Sequence, residues 1–404
     1  MKSFRLYSDI PDLPRHKVWA EIDTHALRYN YKLLCSMTPG VEHICVVKAD
    51  SYGHISSLCV GILLDSGCRF FAVSCIEEAI SVRKICAERE IDAQILILGY
   101  TNCAQAQVLA KNNIIQTIIS KEYAIALNQA AKLHRCKVRT HVAIDTGMNR
   151  IGLCAQTKAE CRSVTESIIE ITQLENLSLE GMFTHFARAD EEYEATVSKN
   201  SHVRKQFARF DTVRKMLLEQ GLKLFCHACN SAASVRFPEF ALDGVRFGIL
   251  LYGVCPSKHV DVCVKPVMSL YAVISHLHKL NVGEAVSYGG HFSSDEERTL
   301  ATLPIGYADG FLRAFSGFDV TVRTSSGDFK APVVGNVCMD QCVIDVTGIP
   351  AAAGDKVTIF GNDRMDLSRL AELANTIEYE ILCLISARVP RIAKNKTFRN
   401  KEDS

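Results

Sequence analysis

The sequence predicts an α/β protein in which an N-terminal (β/α)8 barrel of the TIM type is followed by a mostly β domain. About eight short strand-like runs alternate with helical or polar connections across residues 18–255, which is the layout of a closed barrel. After Pro256 the runs become short, alternate in polarity and are separated by Gly, Asp and Ser, which indicates a mostly β domain. A doubly wound open sheet is the alternative for the first half, but eight regular units favour closure.

The runs that predict the barrel strands are apolar and end at turn-forming residues. The run at residues 18–23 is expected either to belong to the barrel or to join the β domain. The lysine-bearing strand is Ile44–Val47, and the others lie at Phe70–Cys75, Gln94–Gly99, Gln116–Ser120, Thr140–Asp145, Glu180–His185, Leu224–Asn230 and Gly244–Leu251. Stretches with a helical period of 3.6 residues separate them, at Ile76–Glu90, Glu122–His134, Ser163–Ile171 and Val203–Gln220.

Residues 256–393 form the predicted β domain, in which helices are largely absent until Leu367–Ala374. Its strand-like runs are Met268–Leu277, Leu300–Ile305, Val320–Thr324, Ala331–Val337, Cys342–Val346 and Lys356–Phe360. Residues 1–17 are expected to be an N-terminal extension, and residues 394–404 a charged tail.

The composition excludes several classes of protein. With 404 residues, 48% hydrophobic and 23% charged, and a formal net charge of +1, the chain has no electrostatic reason to bind nucleic acid or a membrane surface. Residues 1–15 lack the apolar core of a signal peptide, and no long apolar run predicts a transmembrane helix. A cytoplasmic location is therefore expected.

The chain has 17 cysteines, an odd number with scattered spacing, which favours reduced buried thiols over a disulfide framework. Cys226 and Cys229 have the spacing of a redox or metal-binding pair, but no second ligand pair stands nearby. No metal is expected.

Lys48 is the first candidate functional residue. It follows the apolar strand Ile44–Val47 and precedes a glycine-bearing turn, so its amine is partly desolvated and its neutral, nucleophilic form is favoured. Such an amine can form a Schiff base with an aldehyde cofactor such as pyridoxal phosphate. On this stretch alone, a surface lysine at a strand end is an equally good interpretation.

The other predicted strand ends carry compatible chemistry, and barrel enzymes place their sites at this edge. Arg150, His185, Ser231 and Arg246 follow or end successive strands. Gly248 and the start of the helix at Ser231 would offer backbone N–H groups to a phosphate. Each residue alone has a structural explanation, but their recurrence at successive strand ends favours a site.

These segments resemble the motif set of the alanine racemase family. The motifs are VVKADSYGH, DTGMNRIG, FTHFARADE, NSAA, VRFGILLYG, VSYGGHF, PIGYADGF and VGNVCMD. They run in the family's order from about Trp19 to Arg391. The resemblance implies a barrel that binds pyridoxal 5'-phosphate, a C-terminal β domain, a head-to-tail homodimer with shared active sites, and interconversion of L- and D-alanine, which supplies D-alanine for peptidoglycan.

The resemblance also implies two bases, one on each face of the substrate. Lys48 would hold the cofactor and act on one face, and Tyr288 of the partner subunit would act on the other. Two opposed bases allow a proton to leave one face of Cα and return to the other. Because tyrosine is ordinarily too weak an acid to be ionised at neutral pH, His185 is expected to assist Tyr288.

Further roles follow from the resemblance alone. Arg150 would orient the substrate carboxylate and Tyr288, and Arg246 would donate to the cofactor ring nitrogen. The remaining cofactor-binding residues would be Tyr52, His185, Asn230, Ser231, Gly248 and Ile249. The remaining substrate-binding residues would be Tyr307, Met339 and Asp340.

Two positions depart from the family pattern. Ala143 replaces a lysine that in many members braces the arginine matching Arg150. Ala387 replaces a tyrosine that closes the pocket around the substrate methyl, so that serine, or both serine and alanine, become alternative substrates. Pocket contacts of this size discriminate by only about 1–3 kcal/mol.

Three other functions are alternatives to the racemisation of alanine. A fold-related decarboxylase would need a cysteine motif and an acidic loop, whereas Cys338 and Cys342 lie in a racemase-like context. A non-catalytic pyridoxal-phosphate-binding protein of the single-barrel type would lack residues 256–404 and Tyr288. A degenerate, slow racemase is a minor alternative because Lys48 is retained.

Overall fold

The computed structural model describes residues 16–191, 201–361 and 365–394. The chain divides into two compact units. The first comprises Arg28–Ser51 and Ser56–Val264, and the second comprises Met1–Leu27, Tyr52–Ile55 and Lys265–Ser404. The predicted tail beyond Lys394 and most of the predicted N-terminal extension lie outside the described residues.

The first unit contains a closed barrel of eight parallel strands, as predicted. After strand β1 (Val18–Asp23) and helix α1 (Thr24–Met37), the chain enters the barrel. Its strands are β2 (Glu42–Val46), β3 (Phe70–Val73), β4 (Gln94–Ile97), β5 (Ile115–Ile118), β6 (Val138–Asp145), β8 (Leu177–Phe183), β9 (Phe225–His227) and β10 (Gly244–Phe247). A two-residue strand, β7 (Leu153–Cys154), pairs parallel with the end of β6. The pairing of β10 with β2 and of β5 with β6 closes the barrel.

Helices follow the barrel strands. They are α2 (Ser56–Asp65), α3 (Ile76–Glu88), α4 (Ala106–Lys111), α5 (Lys121–Leu133), α6 (Lys158–Thr172), α7 (His202–Glu219) and α8 (Ser231–Arg236). Helix α6 begins five residues before the predicted Ser163 because Thr157 and Glu160 form a reciprocal capping box there, which satisfies two otherwise unpaired backbone donors. Among the described residues, no helix is both long and apolar enough to cross a membrane.

Several barrel strands end earlier than the sequence pattern predicts. The run Gly244–Leu251 is a strand only as far as Phe247, since Ile249–Tyr252 form a 3₁₀ turn. The run Leu224–Asn230 likewise shortens to Phe225–His227. In both cases the apolar residues beyond the strand remain buried, so hydrophobicity alone does not mark where the strand gives way to the loop.

The second unit is built on a nine-stranded sheet. Besides β1, its strands are β11 (Met268–Val273), β12 (His276–Leu280), β15 (Arg298–Leu303), β16 (Asp319–Thr324), β17 (Gly327–Val334), β18 (Cys342–Asp345), β19 (Lys356–Phe360) and β20 (Arg391–Lys394). A separate hairpin consists of β13 (Ala285–Val286) and β14 (Phe292–Ser293). The strand order in the nine-stranded sheet is β12-β15-β18-β17-β16-β19-β11-β1-β20. Two helices, α9 (Met365–Leu373) and α10 (Glu378–Leu384), lie late in this unit.

Strand β1 lies in this second sheet and not in the barrel. It pairs antiparallel with β11 and parallel with β20. Of the two placements open for residues 18–23, the structure shows the one in the β domain.

Candidate active site

Lys48 introduces a backbone conformation that is rare for residues other than glycine. Strand β2 ends at Val46, and the next residues after Lys48, namely Ala49, Asp50 and Ser51, have φ of 51°, 52° and 58°. Left-handed backbone costs roughly 1–2 kcal/mol for each such residue. Consecutive strained residues persist only where surrounding contacts hold them, and they concentrate at functional sites.

Two carboxylates hold this left-handed turn. One oxygen of Glu78, in the first turn of α3, accepts from the Ala49 N–H at 2.7 Å, and the other accepts from the Ser74 N–H at 2.8 Å. Asp50 Oδ1 accepts from the Ser56 N–H at 2.7 Å. Glu78 therefore ties the residue after Lys48 to the end of β3.

We expect Glu78→Ala to lower the free energy of unfolding by about 1–3 kcal/mol, because it removes an ionised acceptor from two backbone donors. Urea unfolding of the purified protein measures this loss. Glu219→Ala, which removes an exposed glutamate from the end of helix α7, is the control and should change stability by about 0.5 kcal/mol or less. Equal effects of the two substitutions would contradict the assigned role of Glu78.

Arg246 is buried in the barrel, and acceptors surround both of its Nη atoms. Its side chain donates to the carbonyls of Thr184 at 2.8 Å, His227 at 2.9 Å and Ala228 at 3.0 Å. Nη1 also donates to His227 Nδ1 at 2.9 Å. Burial lowers the pKa of the guanidinium to about 10, so it remains charged at neutral pH.

A histidine pair continues from Arg246 into the barrel core. Since arginine can only donate, His227 Nδ1 must be the acceptor and its proton lies on Nε2. Nε2 then donates to His141 Nδ1 at 3.1 Å. Burial lowers the pKa of His141 to about 3, and burial with the charge of Arg246 lowers that of His227 well below its usual value. Both rings are therefore neutral.

His185 stands where three cations act on it. Its Nδ1 lies 3.4 Å from Arg246 Nη2. Its pKa is lowered well below the usual value by burial and by the charges of Arg246, Arg150 and Lys48. The structure thus brings four residues expected from the sequence together at one end of the barrel, with an excess of positive charge.

Gln206, which was not predicted from the sequence, holds two of the strand-end loops. Its Nε2 donates to the His185 carbonyl at 3.0 Å and to Thr146 Oγ1 at 3.3 Å, and its Oε1 accepts from the Ala187 N–H at 3.0 Å. A signal was present in the sequence: Gln206 occupies an apolar-stripe position of α7, between Val203 and Phe210, and is fully buried.

The loop that carries Arg150 is braced through its backbone. Asp145 Oδ1 accepts from the N–H groups of Gly147, Met148 and Asn149 at 2.9, 3.0 and 3.0 Å. Ala143 is buried within β6. Within the described residues no hydrogen bond or ion pair reaches the Arg150 guanidinium. The hydrogen bonds of Asp145 therefore hold the backbone of this loop and not the Arg150 side chain.

Two residues expected to hold the cofactor phosphate lie together at the start of α8. Ser231 Oγ accepts from the Gly248 N–H at 2.7 Å, which brings these two residues and Ile249 together. Asn230 instead caps α8, accepting from the Ala233 N–H at 3.0 Å and donating to the Phe186 carbonyl at 3.3 Å. Its side chain therefore has a structural use within this unit.

In the second unit, one loop joins the expected substrate-binding residues. The Cys338 carbonyl accepts from the Tyr307 N–H at 3.1 Å, and the Met339 carbonyl accepts from the Ala308 N–H at 3.0 Å. Tyr288 and Met339 are 71% and 54% exposed. These two large apolar side chains therefore project from this unit without being covered within the chain.

Asp340, Ala387 and Tyr52 also lie in the second unit. The Asp340 carboxylate pairs with Arg388 Nη2 at 2.8 Å, and Arg388 Nε also pairs with Asp309 at 3.2 Å. Ala387 is exposed beside this ion-pair cluster. Tyr52 is buried against Tyr379, with ring centroids 6.2 Å apart, and burial raises the pKa of its hydroxyl.

The Cys226 and Cys229 thiols have separate surroundings. Cys226 Sγ donates to the Leu224 carbonyl at 3.3 Å, and Cys229 Sγ donates to the Phe237 carbonyl at 3.8 Å. Burial raises the pKa of both thiols to about 12. A metal ligand or redox pair needs the thiolate, which these surroundings oppose.

The fold and the site together define a two-domain barrel enzyme with a lysine at a strand end. A family model of the alanine racemase N-terminal domain matches residues 22–256, and one of the C-terminal domain matches residues 267–393. The chain belongs to the alanine racemase family.

Individual relatives agree. The chain is 38% identical over 383 residues to alanine racemase 1 of Clostridium acetobutylicum, covering 93% of this chain and 95% of that one. It is 39% identical over 381 residues to the alanine racemase of Desulfovibrio desulfuricans, covering 93% and 97%. The solved alanine racemase of Clostridium difficile 630 superposes with a TM-score of 0.85 at 36% identity, covering 94% of this chain and 96% of that one.

The names of these relatives and the extent of the match help to decide between the alternative functions. Each of these relatives is named an alanine racemase, so the serine alternative suggested by Ala387 is not favoured. The match across both domains also speaks against a single-barrel binding protein and against a decarboxylase.

Proposed function

We propose that the protein is a pyridoxal-phosphate-dependent racemase that interconverts L- and D-alanine and supplies D-alanine for peptidoglycan. The observation that carries this proposal is the cationic end of the barrel. Arg246 Nη2 lies 3.4 Å from His185 Nδ1, and the charges of Lys48, Arg150 and Arg246 all lower the pKa of His185. Such a site attracts an anionic cofactor and a substrate carboxylate, and the family's named members act on alanine.

The residues present fit pyridoxal phosphate. Lys48 offers an amine for the aldehyde. Ser231, whose Oγ accepts from the Gly248 N–H, offers its hydroxyl proton to a phosphate. Arg246, whose Nη hydrogens already have acceptors, would offer its Nε–H to the ring nitrogen. Tyr52, Asn230 and Ile249 are the further residues proposed to contact it. When bound, the cofactor would acidify the Cα–H of the amino acid by delocalising negative charge.

The chain's own groups would then move the proton. Lys48 Nζ would take or return it on one face of Cα, and Tyr288 Oη would do so on the other. Burial and the charges of Arg246, Arg150 and Lys48 oppose protonation of His185. We therefore propose that its neutral ring contacts the cofactor and does not take the proton of Tyr288. Arg150 and the Met339 N–H would hold the carboxylate, with Tyr307 and Asp340 beside them.

We propose that the active form is a homodimer in which Tyr288 of each subunit serves the barrel of its partner. The exposed fractions of Tyr288 (71%), Met339 (54%) and Tyr307 (40%) support this, because large side chains with this much exposure are typical of a surface that another chain covers. Sedimentation of the purified protein tests it.

We also propose a cytoplasmic location. All 17 cysteines are free thiols, several of them fully buried. Proteins of oxidising compartments rarely retain so many unpaired cysteines.

The decisive assay incubates the cofactor-loaded protein with L-alanine or L-serine and quantifies the D-enantiomer by chiral chromatography. We expect alanine to exceed serine by at least about tenfold, a difference of about 1.4 kcal/mol in transition-state binding. Serine turnover equal to or above that of alanine would contradict the choice of substrate. No turnover on either would overturn the proposed racemase.

A further inference from the structure

The residue before Tyr288 has a strained backbone. Ser287 has φ of 61° and ψ of −173°, in a region that only glycine occupies readily, at a cost of roughly 1–3 kcal/mol. A serine stays in this conformation only if its surroundings hold it there. The contacts that hold Ser287 therefore also fix the backbone from which the Tyr288 side chain projects.

Those contacts come from a single loop, residues 335–338. Ser287 Oγ donates to the Asn336 carbonyl at 2.6 Å and lies 3.2 Å from Cys338 Sγ. In return, Asn336 Nδ2 donates to the Tyr288 carbonyl at 2.6 Å. Asn336 is thus hydrogen-bonded to both Ser287 and Tyr288, the two residues on either side of the peptide that follows the strained Ser287.

The packing around the pair leaves little room for adjustment. Gly335 has φ of 66°, and a Cβ there would lie 2.8 Å from the Val286 carbonyl oxygen and 3.3 Å from the Ser287 Cβ. The loop backbone thus packs directly against the strand that leads into Tyr288. The same loop accepts from the Tyr307 N–H through the Cys338 carbonyl, so Tyr288 and Tyr307 share one support.

The Tyr288 side chain itself has little packing within its own chain, since it is 71% exposed. The position of the Tyr288 backbone therefore determines the position of its hydroxyl in a chain that has not yet bound a partner. A misplacement of about 1 Å in a reacting group can cost on the order of 100-fold in rate.

We propose that Asn336 is a positioning residue for Tyr288, acting mainly through the hydrogen bond that its Nδ2 donates to the Tyr288 carbonyl, while its own carbonyl accepts from Ser287 Oγ. This inference rests on the proposed function, in which Tyr288 exchanges a proton with one face of the substrate. Asn336 is not one of the residues proposed to contact substrate or cofactor. Its contribution is to keep the Tyr288 backbone in the strained conformation.

The test compares Asn336→Ala with Asn281→Ala, an exposed asparagine of the same unit, in the cofactor-loaded enzyme. We expect Asn336→Ala to lower kcat by about 10- to 100-fold, with KM for alanine and cofactor absorbance nearly unchanged. The control should behave like the wild type. Ser287→Gly, which removes the hydroxyl but tolerates the positive φ, should also lower kcat without destabilising the fold.

A direction-specific readout separates positioning from a merely structural role. With Cα-deuterated alanine, the primary isotope effect should rise for the enantiomer whose Cα–H faces Tyr288 and should fall or stay the same for the other, because in that direction the weakened transfer follows cleavage of the Cα–D bond. Equal changes for both enantiomers, or loss of cofactor and of thermal stability in step with kcat, would overturn the inference.

The two proposals fail in different ways. An active wild type whose Asn336→Ala and Ser287→Gly variants keep full kcat and unchanged isotope effects contradicts the positioning role alone. A wild type without turnover on either enantiomer contradicts the proposed function and the inference with it.

Discussion

Replacing Tyr288 by phenylalanine should lower turnover in both directions by about 10²–10⁴-fold, the usual contribution of a positioned general acid or base. The substitution removes one oxygen from a side chain that is 71% exposed, so the fold of the chain should be unaffected. Because Lys48 remains, the cofactor should still be bound. Racemisation rates and the cofactor absorbance spectrum of the same preparation provide the two measurements.

Tyr100→Phe is the matched control, since Tyr100 is an exposed tyrosine (59%) of the first unit outside the proposed site. It should retain wild-type turnover. If Tyr288→Phe kept more than about a tenth of the wild-type rate, a loss below the usual range for a general acid or base, Tyr288 would not be one of the two bases. A variant that lost its cofactor absorbance as well would point to a binding role instead.

The stability of the protein should fall steeply on mild acidification. His141, His185 and His227 all have pKa values lowered in the folded state, mainly by burial, whereas in the unfolded chain each titrates near 6.5. The unfolded state therefore binds more protons below that pH, and the free energy of unfolding decreases as pH falls. Each histidine costs about 1 kcal/mol between pH 6.5 and 5.5, so the three together cost about 3 kcal/mol.

Urea unfolding at pH 7.5, 6.5 and 5.5 measures this slope. His141→Gln should flatten it by about one histidine's share, whereas His134→Gln, which alters an exposed histidine, should leave it unchanged. A stability that stays constant down to pH 5.5 would mean that these rings can accept protons in the folded state. That result would conflict with the hydrogen bond in which Arg246 donates to His227 Nδ1.

The sequence alone predicted the barrel strands and the end of the barrel that carries Lys48. Buried parallel strands appear in a sequence as apolar runs, and polar residues follow at their ends. It did not reveal the left-handed turn after Lys48. Nothing in Ala49-Asp50-Ser51 favours that backbone, and it is held by Glu78 from another strand-helix unit.

The residues that sequence reasoning missed share one physical property. Glu78, Gln206 and Asn336 bind backbone groups of distant segments. Such contacts leave no periodic pattern, since any backbone N–H or carbonyl can be the partner. Among the three, only Gln206 gave a signal, as a polar residue on the apolar stripe of a helix.

The position of β1 has a consequence for how the protein is made. Ile22 of β1 pairs with Met268, and Ala20 pairs with Arg391 of the last strand described. At synthesis rates of about 5–20 residues per second, β1 leaves the ribosome on the order of ten seconds or more before its first neighbour exists. The barrel, whose strands all lie between β1 and β11, can close during that interval, but the sheet must wait for the end of the chain. A nascent chain stalled shortly before residue 391 would thus hold a finished barrel and an open edge at β1.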